Sequence, residues 1–553
     1  MGKNLLVLAV LVFMSMPAFA QSVDTDWVRR YDGPGSEDDW PVAMAVDDSG
    51  RIYVTGHCRG TGVNADLATI KYLPNGDTAW VRTYSGPGDH TDQAFALAID
   101  ASYNVYVTGS SYSIGSDDDY VTIKYTPNGD TAWLRRYNGP GDTYDAAYAI
   151  AVSDSGYIYV TGSSRGSGTW GDYATIKYYP NGDTVWVRRY NGPGNVNDYG
   201  SAISLDGLSN VYVTGKSYDT TGQDDYVTIK YAPNGDTLWL RRYKGPGDSW
   251  DTALAMAVDS IGNAYVTGRS IGSGTSTDYA TIRYYPNGDT AWVRRYNGPA
   301  NGSDYADAIA LDDFSFVYVT GYSDSTETYQ DYATIKYDSS GNQVWVRRYD
   351  YGVSGTDQAH DMAIDGSSSV YVTGVSGSGG AAGLDYATIK YYSNGDTAWV
   401  MRYNGPGNGS DYAQAVAVDD SGNVYVTGYS TGSGTGDDFC TIKYIQGASG
   451  VKDETGGRER PSEFDLSQNY PNPFNPTTKI EFTLAKSGFV TLQIYDMLGR
   501  KVRTLVSEEL SSGYKSVIWD GRNDDGKDVA SGVYFYQLKV GDFSEPKKML
   551  LLK

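Results

Sequence analysis

Trp133-Leu-Arg-Arg-Tyr137 is one of eight near-copies of a five-residue stretch, and the spacing of those copies decides the fold. Their tryptophans are Trp27, Trp80, Trp133, Trp186, Trp239, Trp292 and Trp345, each 53 residues after the last, and then Trp399 after 54. So regular a period means one structural unit per repeat. Each unit also carries a Tyr-Val-Thr-Gly or a close variant, its tyrosines running from Tyr53 to Tyr425, and a segment such as Asp119-Tyr-Val-Thr-Ile-Lys-Tyr125.

Residues 94–137 read as four short strands, A to D from the inside outward: Ala94–Asp100, Val105–Thr108, Tyr120–Tyr125 and Trp133–Tyr137. Ser102–Asn104 and Pro127-Asn-Gly-Asp130 make tight turns, and a longer polar loop joins B to C. Repeated four-stranded antiparallel units bury their faces on their neighbours, as an open solenoid or a closed propeller. The chain ends decide between the two. Trp27–Tyr31 is a D-type strand that precedes any A strand, whereas the last unit has A (Ala413–Asp419), B (Val424–Thr427) and C (Phe439–Tyr444) but no D. Pairing the two ends completes eight sheets and removes the exposed ends of the array. The expected fold is all-β: an eight-bladed β-propeller over residues 21–446, closed by an N-terminal-strand clasp.

Composition agrees. Tyr (51) and Gly (67) far outnumber Pro (19), which suits turn-rich β structure. The formal net charge of −23 repels a phosphate backbone, so no nucleic-acid partner is expected. Residues 1–20 read as an export signal: Lys3, an apolar core from Leu5 to Phe13, and Ala18-Phe19-Ala20 before Gln21. No later apolar run approaches the length of a transmembrane helix.

One tryptophan per sheet is most simply an inter-blade packing residue. Arg135-Arg136 and Asp119 recur in nearly every unit, which predicts a charge and hydrogen-bond network rather than a site, since a catalytic group is needed once. Strand polarity gathers the tight A–B and C–D turns on one face and the variable B–C and D–A loops on the other. Variable loops on a rigid scaffold are where recognition sits. The candidate binding residues are Trp40, His57, Arg59, Tyr144, Trp170, Tyr199, Trp250, Tyr305 and Tyr412, whose mix of aromatic and polar groups suits sugars or peptides; the alternative is that they pack the loops.

An aspartate also precedes or opens each A strand: Asp39, Asp92, Asp145, Asp198, Asp251, Asp304, Asp357 and Asp411. With A innermost, these carboxylates would ring one mouth of the central channel. Oxygen ligands of this kind suit Ca²⁺, while Asp at a loop-to-strand junction also commonly accepts backbone N–H bonds. No other cofactor is expected. Cys58 and Cys440 are the only cysteines, on blades that become neighbours in a closed ring, so they are either a disulfide locking the clasp or two free thiols.

The repeats, with Ala-Val-Asp-Asp-Ser-Gly-Asn-Val-Tyr-Val-Thr-Gly (Ala417–Gly428) and Asp-Tyr-Ala-Thr-Ile-Lys-Tyr (Asp172–Tyr178), resemble the bacterial β-propeller repeats often labelled seven-bladed, here in eight units. The resemblance implies a fold and no common activity. Residues 447–463 read as a flexible tether. Residues 464–553 read as a small immunoglobulin-like β-sandwich of about seven strands. This segment resembles the type A C-terminal sorting domain of the type IX secretion system through Tyr470-Pro-Asn-Pro-Phe-Asn-Pro476, Ile494-Tyr-Asp496 with Gly499, Trp519-Asp-Gly521, Ala530-Ser-Gly-Val-Tyr-Phe-Tyr536 and Lys547-Lys-Met-Leu-Leu-Leu-Lys553. The resemblance implies recognition by that machinery and a secreted or cell-surface location. Asp520-Gly-Arg-Asn-Asp-Asp-Gly526 has the wrong register for a calcium loop and reads as a hairpin turn.

With three histidines (His57, His90 and His360) and no Gly-x-Ser-x-Gly, His-Glu-x-x-His or phosphate loop, no catalytic motif stands out. The expected function is a binding or scaffold propeller. The alternatives are an enzyme acting on polysaccharide through a carboxylate pair, or a quinoprotein-type dehydrogenase. The latter is suggested by Gly76-Asp-Thr-Ala-Trp80, yet the chain lacks an adjacent cysteine pair.

Overall fold

The computed structural model describes residues 23–552, apart from 61–63, 88–89, 248, 327–328, 353–354, 378–382, 447–451, 454–463, 470–471, 475–477, 487, 511–512, 525–526 and 542. The export signal at 1–20, most of the tether, and Tyr470, Pro471, Asn475 and Pro476 of the sorting motif lie outside the described residues. Two compact units emerge, one over Thr25–Tyr444 and one over Ile445–Lys553.

The first is an eight-bladed β-propeller. Its eight four-stranded sheets run A-B-C-D in chain order, for example Asp145–Val152, Ile158–Arg165, Gly171–Tyr178 and Thr184–Tyr190 in blade 3. Blade 1 starts at strand A, Trp40–Val46. In blade 8 the N-terminal strand Val23–Tyr31 takes the D position beside strand C, Asp437–Gln446. Each A strand packs against the A strands of the blades on either side, including blade 1 against blade 8, so the ring is closed and A is innermost. One register shift recurs in every A strand, leaving a single bulged residue at Val42, Phe95, Tyr148, Ser201, Leu254, Asp307, His360 and Gln414.

The tryptophan and first arginine of strand D join each blade to the C–D turn of the next. Trp186 Nε1 donates to Pro233 O (3.2 Å) and Arg188 Nε to Gly235 O (2.6 Å), with the guanidinium 5.5 Å from the Trp186 ring. Gly235 has φ +88° and an added Cβ would strike Arg188, so the turn requires glycine. Blade 7 alone has Met401 in place of this arginine, and it is the blade whose neighbour has no C–D turn, because strands C and D of blade 8 come from opposite ends of the chain. The second arginine works at the loop end. Arg189 donates to Ser164 Oγ (2.6 Å), to Asp172 (2.9 Å) and to the Tyr137 hydroxyl of the preceding blade (3.1 Å). Equivalent Arg–Asp pairs hold blades 2 and 4 to 8: Arg136–Asp119, Arg242–Asp225, Arg295–Asp278, Arg348–Asp331, Arg402–Asp385 and Arg30–Asp438. The expected network is therefore present in two layers.

The second unit is a sandwich of two four-stranded sheets. Within the expected tether, Lys452–Asp453 pairs with Lys515 and Ser516 as an edge strand of this unit. Trp519 is fully buried, packed on Phe474 (5.5 Å) and Tyr534 (5.2 Å), with its Nε1 donating to Arg522 O (2.8 Å). The Tyr536 hydroxyl donates to Ser467 O (2.9 Å) and accepts from Asn469 N (2.8 Å). At the Asp520 turn, Asn523 N donates to Lys527 O and Val529 N to Gly521 O. Among the described residues no helix is long and apolar enough to cross a membrane.

Candidate functional site

The eight aspartates form no open ring of ligands. Each is fully buried and is used inside its own blade. Asp145 shows the pattern: one oxygen accepts from Gly139 N in the D–A loop (2.5 Å), the other from Arg165 N at the end of strand B (2.8 Å). Asp39 accepts from Gly33 N (2.5 Å) and Arg59 N (2.9 Å), and Asp198 from Gly192 N (2.6 Å) and Tyr218 N (3.1 Å). Asp92, Asp251, Asp304, Asp357 and Asp411 take the same amide six residues upstream. These carboxylates pin the D–A loop to strand B, and burial outweighs the amides, pushing Asp39, Asp198, Asp304 and Asp357 up to about 6. Two further carboxylate triads, Asp32 with Asp39 and Asp438, and Asp331 with Asp350 and Asp357, bring oxygens within 4.8 Å of one another.

Of the two alternatives for the cysteines, free thiols are observed, for a reason of strand parity. Cys58 and Cys440 are both buried and free. Cys58 packs with Tyr31 and Phe439, and Phe439 is the residue beside Cys440, so Cys440 points from the opposite face of the sheet. Burial pushes both thiols up to about 12.

The aromatic and basic candidates do gather at the loop mouth, in three clusters. They sit where the second residue of strand A or its equivalent lies opposite the residue after Thr-Gly of strand B, a pair that changes from blade to blade: Trp40↔His57, Tyr199↔Lys216, Tyr305↔Tyr322 and Tyr412↔Tyr429. At the seam between blades 8 and 1 four rings run in a row. Tyr412 stacks on Tyr429 (4.8 Å, 21°), Tyr429 lies 5.9 Å from Trp40, and Trp40 meets His57 edge-on at 5.4 Å. At blades 5 and 6, Arg269 lies over Tyr305 (5.2 Å), which stacks on Tyr322 (4.9 Å). At blades 3 and 4, Tyr148 is 6.4 Å from Tyr199, with Lys216 over the Tyr199 ring (5.2 Å) and bridged to Asp224 (2.9 Å). Tyr144 borders this third cluster through Tyr148. Trp170 stands apart, 52% exposed beneath Arg165 (4.6 Å), and Trp250 is 65% exposed.

A cavity of about 160 Å³ opens beside Trp40, between blades 1 and 2. Asp38, His57, Arg59, Thr91 and Gln93 also line it. Arg59 is salt-bridged to Glu37. His57 is 9% exposed and its Nδ1 has no hydrogen-bond partner among the described residues, an arrangement that costs about 1–3 kcal/mol until something bonds there. Burial drives its pKa down to about 4, so the ring is neutral near pH 7.

The innermost strands of blades 6 and 7 carry three titratable groups that the repeat does not. Burial raises bulged Asp307 to about 7, against the pull of Arg269, and raises Asp361 to about 6 although Asp361 accepts from Val416 N (2.8 Å). Burial lowers His360, whose Nδ1 is 2.9 Å from Ala413 O. Tyr429, Lys216, Arg269, Tyr322, Gln93 and this trio escaped the sequence reading. The signal was available: the residue after Tyr-Val-Thr-Gly and the bulged residue are variable positions inside near-invariant strands.

Residues 470–542 match the FlgD Ig-like domain family, and residues 291–327 and 401–434 match the beta-propeller repeat family. An uncharacterized WD repeat-containing protein of Acanthamoeba polyphaga mimivirus is 23% identical over 456 residues, 64% of this chain; the chain spans 30% of that relative's length. Among solved structures, PorZ, described as an essential surface component of the type IX secretion system of Porphyromonas gingivalis, aligns over 94% of this chain and 74% of its own at 14% identity and a TM-score of 0.33. Drosophila Plexin A in complex with Semaphorin 1b aligns over 77% and 87% at 10% identity and 0.37. These likenesses are too distant to bring an activity with them.

Proposed function

We propose that this protein is exported by the type IX secretion system, with residues 464–553 as the sorting domain, and that its propeller is a secreted or surface-displayed binding module that takes a glycan or a protein at its loop mouth. The observation carrying the binding reading is the segregation of variation: the turn end of the blades is uniform, while the loop mouth collects the changing aromatic and basic residues into clusters. Export is supported by the order and spacing of the C-terminal motifs. The leader at 1–20 and the tether to residue 463 belong to the same reading.

Two measurements test it. Expressed in a bacterium with and without a working type IX system, the chain should reach the surface or medium only in the former, and removal of residues 464–553 should leave it in the periplasm. The full mature chain on glycan and surface-protein arrays, with and without Ca²⁺, should give a discrete set of hits; a blank array would sink the binding reading. The Ca²⁺ arm also tests the two carboxylate triads, since a shift in melting temperature on adding Ca²⁺ to chelator-treated protein is required of any calcium role.

A second reading, an enzyme acting on the bound polysaccharide, is favoured by Asp307, a half-buried carboxyl raised to about 7 at the bulge of the innermost strand of blade 6. Reducing-end release from polysaccharides, abolished by Asp307→Asn, is its test.

A further inference from the structure

We infer that the cavity between blades 1 and 2 is a subsite for one neutral sugar residue, and that ring closure backs its aromatic platform. This rests on the reading of the loop mouth as a binding surface and narrows it to one place and one ligand class.

Size sets the first limit. About 160 Å³ is well below the roughly 300–1,000 Å³ of a cleft for a drug-sized ligand, so the cavity takes one ring of a longer chain. Trp40 supplies the platform: 42% exposed, held against Tyr429 on one side and by the edge of His57, with Asp437 near its indole. Its electron-rich face suits the polarised C–H bonds on one side of a pyranose. The polar groups around it suit hydroxyls. His57 adds a neutral ring to the wall; Gln93 and Thr91 offer both donor and acceptor atoms, and Asp38 an acceptor.

Charge sets the second limit. Among the described residues the one cation lining the cavity, Arg59, is already paired with Glu37, Asp38 adds a negative charge, and the whole chain carries −23. A uronate, sulfate or phosphate would meet repulsion, so the sugar is neutral.

The cavity draws its walls from two blades, and its platform is backed by a third. Asp38, Trp40, His57 and Arg59 belong to blade 1, and Thr91 and Gln93 to the start of blade 2. The groups that orient Trp40, Tyr429 and Asp437, belong to blade 8, and Asp39 N donates to Asp437 O (2.6 Å) across the seam. The platform is in place only when the clasp has closed the ring.

The test uses the full mature chain, titrated with cellotetraose, xylotetraose and mannotetraose, and with tetragalacturonate as the acidic control, by calorimetry and tryptophan fluorescence. At least one neutral tetrasaccharide should bind and the galacturonate should not. Trp40→Ala should weaken binding at least tenfold and Gln93→Ala several-fold, while Leu208→Ala and Ile261→Ala, exposed at the turn end of the blades, leave it within twofold. Trp40→Phe and Gln93→Ala keep the test valid if Trp40→Ala lowers the melting temperature. A neutral sugar bound equally well by the Trp40 and Gln93 variants would overturn the subsite and leave the loop-mouth reading standing. Failure of every neutral tetrasaccharide at millimolar concentration, or preference for the galacturonate, would overturn the inference outright, and a protein hit on the array would then keep the broader reading alive.

Discussion

Blade 3 and blade 1 are built from the same four strands, yet they part at one end. At the turn end they are interchangeable: Trp186 and Arg188 grip Pro233 and Gly235, as Trp80 and Arg82 grip Pro127 and Gly129. At the loop end blade 3 has the Arg189–Ser164–Asp172 network and a small pair, Ala146 opposite Ser163. Blade 1 has Thr83 and Cys58 in place of that arginine and serine, and Trp40 opposite His57 beside a cavity. Nothing in the fold demands Thr83. The contrast teaches that ring assembly is the work of the turn end, which frees the loop end of an individual blade to change.

If so, the largest effects should be equal in the two blades. Trp186→Ala and Trp80→Ala should each cost about 3–5 kcal/mol in denaturant unfolding, and a gap of more than about 2 kcal/mol between them would break the equivalence. Next comes the network. Arg189→Met leaves Asp172 buried without its cation, and with the arginine still about a quarter exposed the loss should be about 1–3 kcal/mol. Rebuilding the network in blade 1 with Cys58→Ser and Thr83→Arg should move stability by no more than about 1 kcal/mol.

A pH profile extends the comparison to the loop anchors, of which Asp39 serves blade 1 and Asp198 serves blade 4, the neighbour of blade 3. Burial holds Asp39, Asp198, Asp304 and Asp357 at about 6, above the ordinary 3.8. A carboxyl raised on folding favours the folded state when protonated, so this contribution is complete below about pH 4 and is lost as pH rises through about 6. The melting temperature should therefore fall from pH 4.5 to 6.5, and Asp39→Asn and Asp198→Asn should each flatten the slope alike. Carboxyls held low, such as Asp100 and Asp206, withdraw their support only below that window. The smallest effect belongs to Trp250→Ala, within about 0.5 kcal/mol, because its side chain is 65% exposed.

The ring, its clasp and the role of the tryptophan were legible because a 53-residue period repeats every structural demand eight times. The candidate site was legible in part: Trp40, His57 and Arg59 stood out among the loop residues, whereas Lys216, Arg269, Tyr322 and Tyr429 fall at the x of Tyr-Val-Thr-Gly-x, where attention goes to the four constant residues. In two places the sequence left alternatives that turn on side-chain direction. Asp39 and its counterparts stand at the mouth in sequence order but turn into their own blade. Cys440 stands one residue from the face that meets Cys58, and one residue is a whole face in a strand.

The clasp also orders events in time. The strand Val23–Tyr31 leaves the ribosome early, yet its partner, Asp437–Gln446, follows more than 400 residues later. At ~5–20 residues per second the first strand waits ~20–80 s with its edge unpaired. The oldest part of the chain is the last to find its place, and any machinery that handles this protein before then meets an open arc of blades rather than a ring.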